Sequence, residues 1–205
     1  MELRCKKYPK VCILNLHIKG AFLILKIKHV VNFGGLMAII KSFGTSDSNI
    51  LKVESTYGIV LPKDYFEFLT RFNGMFIGSG SYCTIPFPMV DNGEVDFQEL
   101  YGIDTKNETL SLVKANEIRD EFVAFDNPFV IGADPGGSLF LINGGGGDKS
   151  IYYWDRGHIH FDDGFCHQEL SGEGNVYKVF NTFTAFYNSI LSNVGGDVRV
   201  NIELL

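Results

Sequence analysis

Three strand-like runs between residues 129 and 154 constrain the fold more than any other part of the chain. They read "FVIGA", "SLFLIN" and "SIYYW" and are rich in β-branched and aromatic residues, which favour strands. The pieces between them, "DPGG" and "GGGGDK", consist largely of residues that allow a chain to turn. We predict that Leu139–Asn143 and Ile151–Trp154 are hairpin partners, joined by a flexible glycine loop.

The glycine loop precedes Lys149-Ser150 and so resembles a phosphate-binding loop. Such a loop needs Gly, four residues and then Gly-Lys-Ser/Thr, followed by a helix whose N-terminus faces the phosphates. Here Asn143 and Asp148 occupy the two glycine positions, and the residues that follow are typical of a strand. The sequence therefore argues against a nucleotide site, and these glycines are interpreted as part of the fold.

Helical periodicity lies on both sides of these strands. Apolar residues recur at helical spacing over residues 50–57, 62–72 and 183–190. Pro62 is well placed as the first residue of the second helix, and Asn73-Gly74, a pair that tolerates positive φ, ends it.

Further strands are predicted at "YCTIPF", "DFQELYGI" and "HIHF", and "TLSLVKANEIRDEF" is predicted to be helical. Strands clustered centrally with helices at both ends indicate an α+β class rather than a βαβ series. We predict a single domain with a central, mostly antiparallel or mixed sheet and flanking helices at both ends.

Residues 1–36 differ from the rest of the chain. They carry seven Lys/Arg and one Glu, a net charge of +6, and their apolar run is interrupted by polar residues, so it does not read as a spanning helix. Three interpretations stay open: a natural start at Met37, an added strand or helix, or a targeting segment. We predict a basic apolar extension over residues 1–36 and a domain over residues 37–205.

Residues 37–205 carry 11 Lys/Arg and 23 Asp/Glu, a net charge of −12. This acidity argues against nucleic acid and anionic membrane as partners and favours a basic protein. Four cysteines lie far apart without a CxxC spacing, which predicts free thiols in a reducing compartment, and hence a cytoplasmic protein.

The strongest metal-site candidate is "HIHFDDGFCH". His158 and His160 would project to one face of a strand, with Asp162 and Asp163 close behind. The spacing matches no closed zinc site, so a solvated strand face is the favoured interpretation. Glu117, Asp120 and Glu121 are likewise interpreted as a solvated helix face.

Four motifs taken in order resemble the SUKH superfamily of immunity-type domains, which includes a yeast cell-wall assembly regulator linked to killer-toxin resistance. The motifs are "YGIVLPKDYFEFLTRFNG", "VIGADPGGSLFLIN", "IYYWD" and "NTFTAFYNSIL". The resemblance covers residues 46–191. The residues that match its motifs, with a structural role implied, are Leu61, Pro62, Tyr65, Asn73, Gly74, Gly132, Asp134, Gly136, Gly137, Trp154 and Asp155.

The resemblance implies a non-enzymatic protein-binding domain without a cofactor, which blocks a cognate toxin, often a nuclease. The alternatives are a regulatory scaffold related to cell-wall synthesis control and, less favoured, a metal-dependent hydrolase using the histidine-rich stretch. The contact residues expected for the toxin are exposed acids, with one or both neighbouring tyrosines as aromatic anchors. They are Tyr152, Tyr153, Asp155, Asp162, Asp163 and Glu169.

Overall fold

The computed structural model describes residues 16–18, 21–23, 39–78, 81–90, 93–122, 124–145, 147–157 and 175–205. The chain divides into two units, Met1–Gly35 and Leu36–Leu205. In the first unit, strand β1 (Leu16–Ile18) pairs antiparallel with β2 (Ala21–Leu23).

The second unit combines helices with two sheets. Its helices are α1 (Asp47–Tyr57), α2 (Lys63–Arg71), α3 (Leu112–Ala115) and α4 (Phe183–Asn193). Its strands are β3 (Ile39–Lys41), β4 (Met75–Ile77), β5 (Ser81–Pro86), β6 (Glu94–Asp96), β7 (Glu99–Leu100), β8 (Pro128–Ala133), β9 (Leu139–Asn143), β10 (Ile151–Trp154), β11 (Val176–Phe180), β12 (Val194–Gly196) and β13 (Val200–Ile202). The predicted α+β class is confirmed.

The larger sheet has eight strands in the order β11-β10-β9-β8-β7-β4-β3-β13, and the smaller has three in the order β12-β5-β6. Every pairing in the larger sheet is antiparallel except that of β13 with β3. The sheet is therefore mixed but mostly antiparallel. The hairpin predicted between β9 and β10 is present, with Leu139 opposite Trp154 and Ile142 opposite Ile151.

The helix ends follow from their capping residues. The Ser46 side chain accepts a hydrogen bond from the Asn49 N–H and begins α1, which ends at Gly58 in the left-handed region. Asn73 follows α2 with a φ of 44°. Its buried side chain accepts from the N–H of Ile103 and donates to the carbonyl of the same residue, each at 2.8 Å. The Asn73-Gly74 break thus joins the end of α2 to the chain after β7.

The described chain differs from the sequence-based prediction in three places. Pro62 precedes α2 as its N-cap instead of forming its first residue. Residues 108–121 form two 3-10 turns on either side of the short α3, where one regular helix was expected. The single strand expected at "DFQELYGI" is broken, because β6 ends at Asp96 and β7 spans two residues. The strand predicted at "HIHF" lies outside the described residues.

Aromatic side chains fill the space between α2, α4 and the sheets. The Phe183 ring lies 4.8 Å from the Tyr65 ring and 5.2 Å from the Phe68 ring, between centroids. Phe186 continues the cluster toward Phe140 of β9, at 4.8 Å. This packing explains why the apolar face of the last helix was readable from the sequence. In the described residues, no helix is both long and apolar enough to cross a bilayer.

Tyr65 carries an unusual feature in this cluster: its hydroxyl has no hydrogen-bond partner among the described residues, although the side chain is fully buried. A buried hydroxyl that has lost its water partners costs stability. We expect Tyr65→Phe to raise the free energy of unfolding by about 1 kcal/mol. Urea unfolding of both proteins measures the difference, and a loss of stability would show that the hydroxyl has a partner.

Candidate functional site

The turn between β8 and β9 is organised by one carboxylate. Asp134 accepts hydrogen bonds from the Ser138 N–H at 2.8 Å and from the Tyr153 hydroxyl at 2.7 Å. The Asp134 N–H donates to the Ser138 carbonyl at 3.0 Å. Gly137 has a φ of 90°, which residues with a side chain rarely adopt. The glycine-acid motif therefore forms a closed turn with a fixed carboxylate.

Gly132 brings the neighbouring strand against this turn. The register of β8 against β9 shifts between Val130 and Gly132, which is a bulge. On the other side of β8, Gly132 lies opposite Leu100 of β7. A Cβ atom at Gly132 would lie only 2.4 Å from the carbonyl oxygen of Glu99. The missing side chain therefore allows the close approach that places Glu99 beside the turn.

A cleft of about 310 Å³ lies beside the turn. Its walls come from β7, the turn itself, α3 with the 3-10 turn that follows it, and Arg156 just after β10. The charged and polar residues that line it are Glu99, Tyr101, Lys114, Asp134 and Arg156. Of this lining, only Asp134 and Gly137 belong to the residues that the family resemblance singles out.

The surroundings of the cleft raise the pKa values of two of its groups, Glu99 and Tyr101. Burial raises the pKa of the Glu99 carboxyl above the ordinary value, and the hydrogen bond from Tyr101 opposes part of that change. Burial, together with the nearby Glu99 and Asp134 charges, raises the pKa of the Tyr101 phenol. Both residues therefore hold their protons more strongly than they would in water.

The raised pKa of Glu99 predicts a pH dependence of stability. Below the ordinary pKa of 4.5, the folded and unfolded chains both carry a neutral Glu99. As pH rises from 4.5 through the higher folded pKa, the folded chain retains the proton longer, so stability is lost over that window. We expect the stability of the wild type to fall relative to Glu99→Gln as pH is raised from 4 to 7, measured by urea unfolding. The exposed variant Glu94→Gln is the control for loss of one charge, and equal pH profiles for Glu99→Gln and wild type would contradict the assignment.

The two cations of the cleft are engaged by groups of the same chain. Lys114 forms an ion pair with Glu108. Arg156 lies 3.5 Å from the Glu121 carboxylate, and its guanidinium lies 5.2 Å from the centre of the Trp154 ring. Exposed ion pairs such as these add little stability. Their effect here is to neutralise the positive charges that the cleft would otherwise present.

Three exposed acids, Glu117, Asp120 and Glu121, lie on the 3-10 turn that borders the cleft, and we call them the acidic rim. Arg119 lies in the same turn, but its side chain donates to the Tyr57 carbonyl at 3.3 Å. Within the described part of the chain, Glu117 and Asp120 form no ion pair. Among the described residues the rim therefore presents two carboxylates without an ion-pair partner, Glu117 and Asp120, beside an Arg119 that keeps its positive charge.

The prediction that two tyrosines serve as exposed aromatic anchors requires a correction. Tyr152 and Tyr153 are 4% and 6% exposed, so neither ring is available to a partner. The Tyr152 hydroxyl donates to Asp148, just as the Tyr153 hydroxyl donates to Asp134. β10 is covered on both faces, which the sequence did not reveal because a fully buried strand and a strand with one exposed face can share the same residue types.

The other predicted contact residues have mixed outcomes. Asp155 is partly exposed directly after β10, where its carboxylate accepts from the Gly157 N–H at 2.9 Å. Asp162, Asp163 and Glu169 lie outside the described residues, as do His158 and His160 of the alternative metal site. In the stretches that are described, no group of three or more His, Cys, Asp or Glu side chains could hold a metal ion. The role of all these residues in partner binding stays a prediction.

The residues matched by the resemblance occupy structural positions. Leu61 is buried and Trp154 is 1% exposed, with its ring edge-on to Phe122 at 5.1 Å. Pro62 and Tyr65 lie at the start of α2, and Asn73 and Gly74 follow its end. Gly136 lies in the exposed turn, where an added Cβ would be 3.3 Å from the Asp134 carboxylate.

One structurally important residue carried no signal in the sequence. Asn116 is 2% exposed, and its side chain donates to the carbonyls of Leu112 and Val130 and accepts from the Val130 N–H. It thereby holds α3 against β8 and fixes one wall of the cleft. An isolated asparagine in a polar segment normally indicates a turn or an exposed position, so no sequence pattern distinguishes it.

A family model matches most of the chain. The sequence model of the SMI1 / KNR4 family (SUKH-1) matches residues 44–189, which is most of the chain and includes the turn, both sides of the cleft and α2. A comparison with curated proteins found no match.

Proposed function

The chain belongs to the SMI1 / KNR4 family (SUKH-1), and from this we propose that it is a non-enzymatic binding protein of the immunity type. It neutralises a cognate, basic toxin, of the nuclease type, by covering the surface with which the toxin works. The observation that carries this proposal is the acidic rim beside a polar cleft, in a chain region of strongly negative charge.

The charge distribution supports a basic partner. Residues 37–205 have a net charge of −12, and the two cations that line the cleft, Lys114 and Arg156, are paired with Glu108 and Glu121. A nuclease is positively charged where it holds phosphates. Complementary potentials accelerate the encounter of two proteins and orient them. The negative charge of the rim is therefore complementary to the positive surface that an inhibitor of such a toxin must cover.

The carboxylates of the cleft are held in place by neighbouring groups. Asp134 is fixed by Tyr153 and the Ser138 N–H, and Glu99 is held by Tyr101. We infer a rigid recognition surface that a basic side chain of the toxin enters.

Growth rescue tests the proposal. Co-expression of the chain with the toxin encoded beside its gene is expected to restore growth. The double variant Glu117→Lys/Asp120→Lys is expected to lose this rescue, with affinity reduced at least about ten-fold, because it reverses the unpaired charges of the rim. The matched control Glu67→Lys/Glu94→Lys makes the same change of net charge at exposed positions away from the cleft and should still rescue.

Each other result contradicts a defined part of the proposal. Full rescue by the rim variant would show that the rim is not the contact surface. It would favour Asp162 and Asp163, the contact residues predicted from the sequence, as the alternative. Equal loss of rescue in both variants would show that only net charge matters. A neighbouring gene that encodes no toxin would favour the regulatory scaffold, a role that family membership also allows.

A further inference from the structure

Among the described residues, β13 forms an open edge of the eight-stranded sheet and pairs with β3 alone, in parallel. The Ile39 N–H donates to the Arg199 carbonyl at 3.1 Å, and the Glu203 N–H donates to the Lys41 carbonyl at 3.0 Å. In a parallel ladder alternate residues of a strand bond to the same neighbour. The backbone groups of Val200 and Ile202 therefore point away from β3, to the open edge, and in the described part of the chain no strand pairs with them.

The same edge exposes a regular set of apolar side chains. Val198, Val200, Ile202 and Leu204 are 61%, 53%, 50% and 64% exposed. A flat, apolar strand edge readily pairs with another strand, and proteins usually blunt such edges with charge, proline or a covering loop. An apolar stripe that runs along an open edge is thus suited to contact another chain, through its backbone groups as well as its side chains.

The sequence of this edge is complementary to itself. Residues 198–204 read "VRVNIEL", which is symmetric in character about Asn201: apolar residues match apolar ones, and Arg199 matches Glu203. If two copies pair antiparallel with Asn201 on the two-fold axis, Val200 lies opposite the partner's Ile202 and Arg199 lies opposite the partner's Glu203. Opposite charges directly across a strand pair stabilise it, and like charges destabilise it.

The backbone directions agree with this register. Val200 and Ile202 both point to the open edge, so they would form a hydrogen-bonded pair across the axis. A shift of the register by two residues in one direction places Glu203 opposite the partner's Asp197, which is repulsive. A shift in the other direction leaves both Arg199 and Glu203 without an opposite charge. The register centred on Asn201 is therefore the favoured one.

We propose that β13 joins two copies of this chain into a symmetric dimer, through antiparallel pairing centred on Asn201, which makes one continuous sheet from the two eight-stranded sheets. The Arg199 Nε already donates to the two carboxylate oxygens of Asp197, at 2.8 and 2.9 Å, and 63% of the Arg199 side chain is exposed. Its guanidinium can therefore also donate to Glu203 of the partner subunit. A contact of one short strand per copy is small, so the dimer forms in a concentration-dependent equilibrium.

Sedimentation equilibrium of the full chain over a wide concentration range tests this proposal. The 22.9 kDa chain is expected to approach twice that mass as concentration rises. Arg199→Glu or Glu203→Arg alone places like charges across the axis and should weaken the dimer at least about ten-fold. The double variant Arg199→Glu/Glu203→Arg restores opposite charges and should return the dissociation constant to within about three-fold of wild type.

The double variant contains both substitutions. Its recovery would therefore show that the single variants are weakened by like charges across the axis and not by a general effect of either substitution. Equal thermal unfolding of the variants at low concentration, where all are monomers, serves as the folding control. A wild-type chain that stays monomeric throughout, single variants that dimerise like wild type, or a double variant that remains as weak as the singles would each overturn the proposal.

Discussion

Replacing Gly132 by alanine is expected to lower the free energy of unfolding by about 3 kcal/mol. The added Cβ would lie 2.4 Å from the Glu99 carbonyl oxygen and 3.2 Å from Leu100 Cδ2. The first of these atoms belongs to the backbone of β7, so it cannot move without disturbing the pairing of β7 with β8. The loss is therefore expected to appear both in stability and in the shape of the cleft.

Gly145→Ala is the matched control for this substitution. It adds the same methyl group in the glycine loop between β9 and β10, where the nearest atom, Asn143 Oδ1, is 3.6 Å from the new Cβ. We expect its stability to lie within about 0.5 kcal/mol of wild type. Urea unfolding of the three proteins measures both effects, and equal stabilities for the two variants would contradict the close approach at Gly132.

Removing the side chain of Asn116 is expected to cost about 3 kcal/mol or more. Asn116→Ala breaks three buried hydrogen bonds, and it leaves both backbone groups of Val130 without their side-chain partner. An unsatisfied buried polar group costs about 1–3 kcal/mol. The exposed Asn188 of α4 provides the control, since Asn188→Ala removes the same side chain without a buried contact and should be close to neutral.

The variant Asn116→Asp distinguishes hydrogen bonding from packing at the same position. A carboxylate keeps the acceptor for the Val130 N–H but faces the carbonyls of Leu112 and Val130 without a donor. Protonation at low pH supplies one donor. The destabilisation of Asn116→Asp relative to wild type should therefore shrink as pH falls from 7 to 4, in urea unfolding. Asn116→Ala should show no such recovery, and parallel pH profiles for the two variants would assign the role of Asn116 to packing.

The fold was predictable from the sequence where its signals are local. The end of α2 at Asn73-Gly74 and the β9–β10 hairpin rest on capping and turn preferences that act over a few residues. These preferences survive in the folded protein because the tertiary contacts agree with them. The amphipathic face of α4 was readable for the same reason.

The features that were not predictable depend on contacts between distant parts of the chain. Glu99 lies at the cleft because Gly132, which has no side chain, allows β7 to pack closely against β8. The two residues are 33 positions apart, and no local sequence pattern indicates that they meet. Asn116 contacts Val130 of β8, 14 positions further along the chain, from the point where α3 is followed by a 3-10 turn. Tyr152 and Tyr153 are buried because both faces of β10 are covered, and no local sequence pattern predicts whether the second face of a strand is covered.

We propose that this chain inhibits a basic toxin by stoichiometric binding, which a titration of the purified chain into a fixed amount of the toxin encoded beside its gene tests directly. We expect the activity of the toxin to fall in proportion and to reach zero at one chain per toxin. High salt should release active toxin, because the complex is held by charge. Loss of activity at a small fraction of one equivalent, or no inhibition at several equivalents, would contradict it.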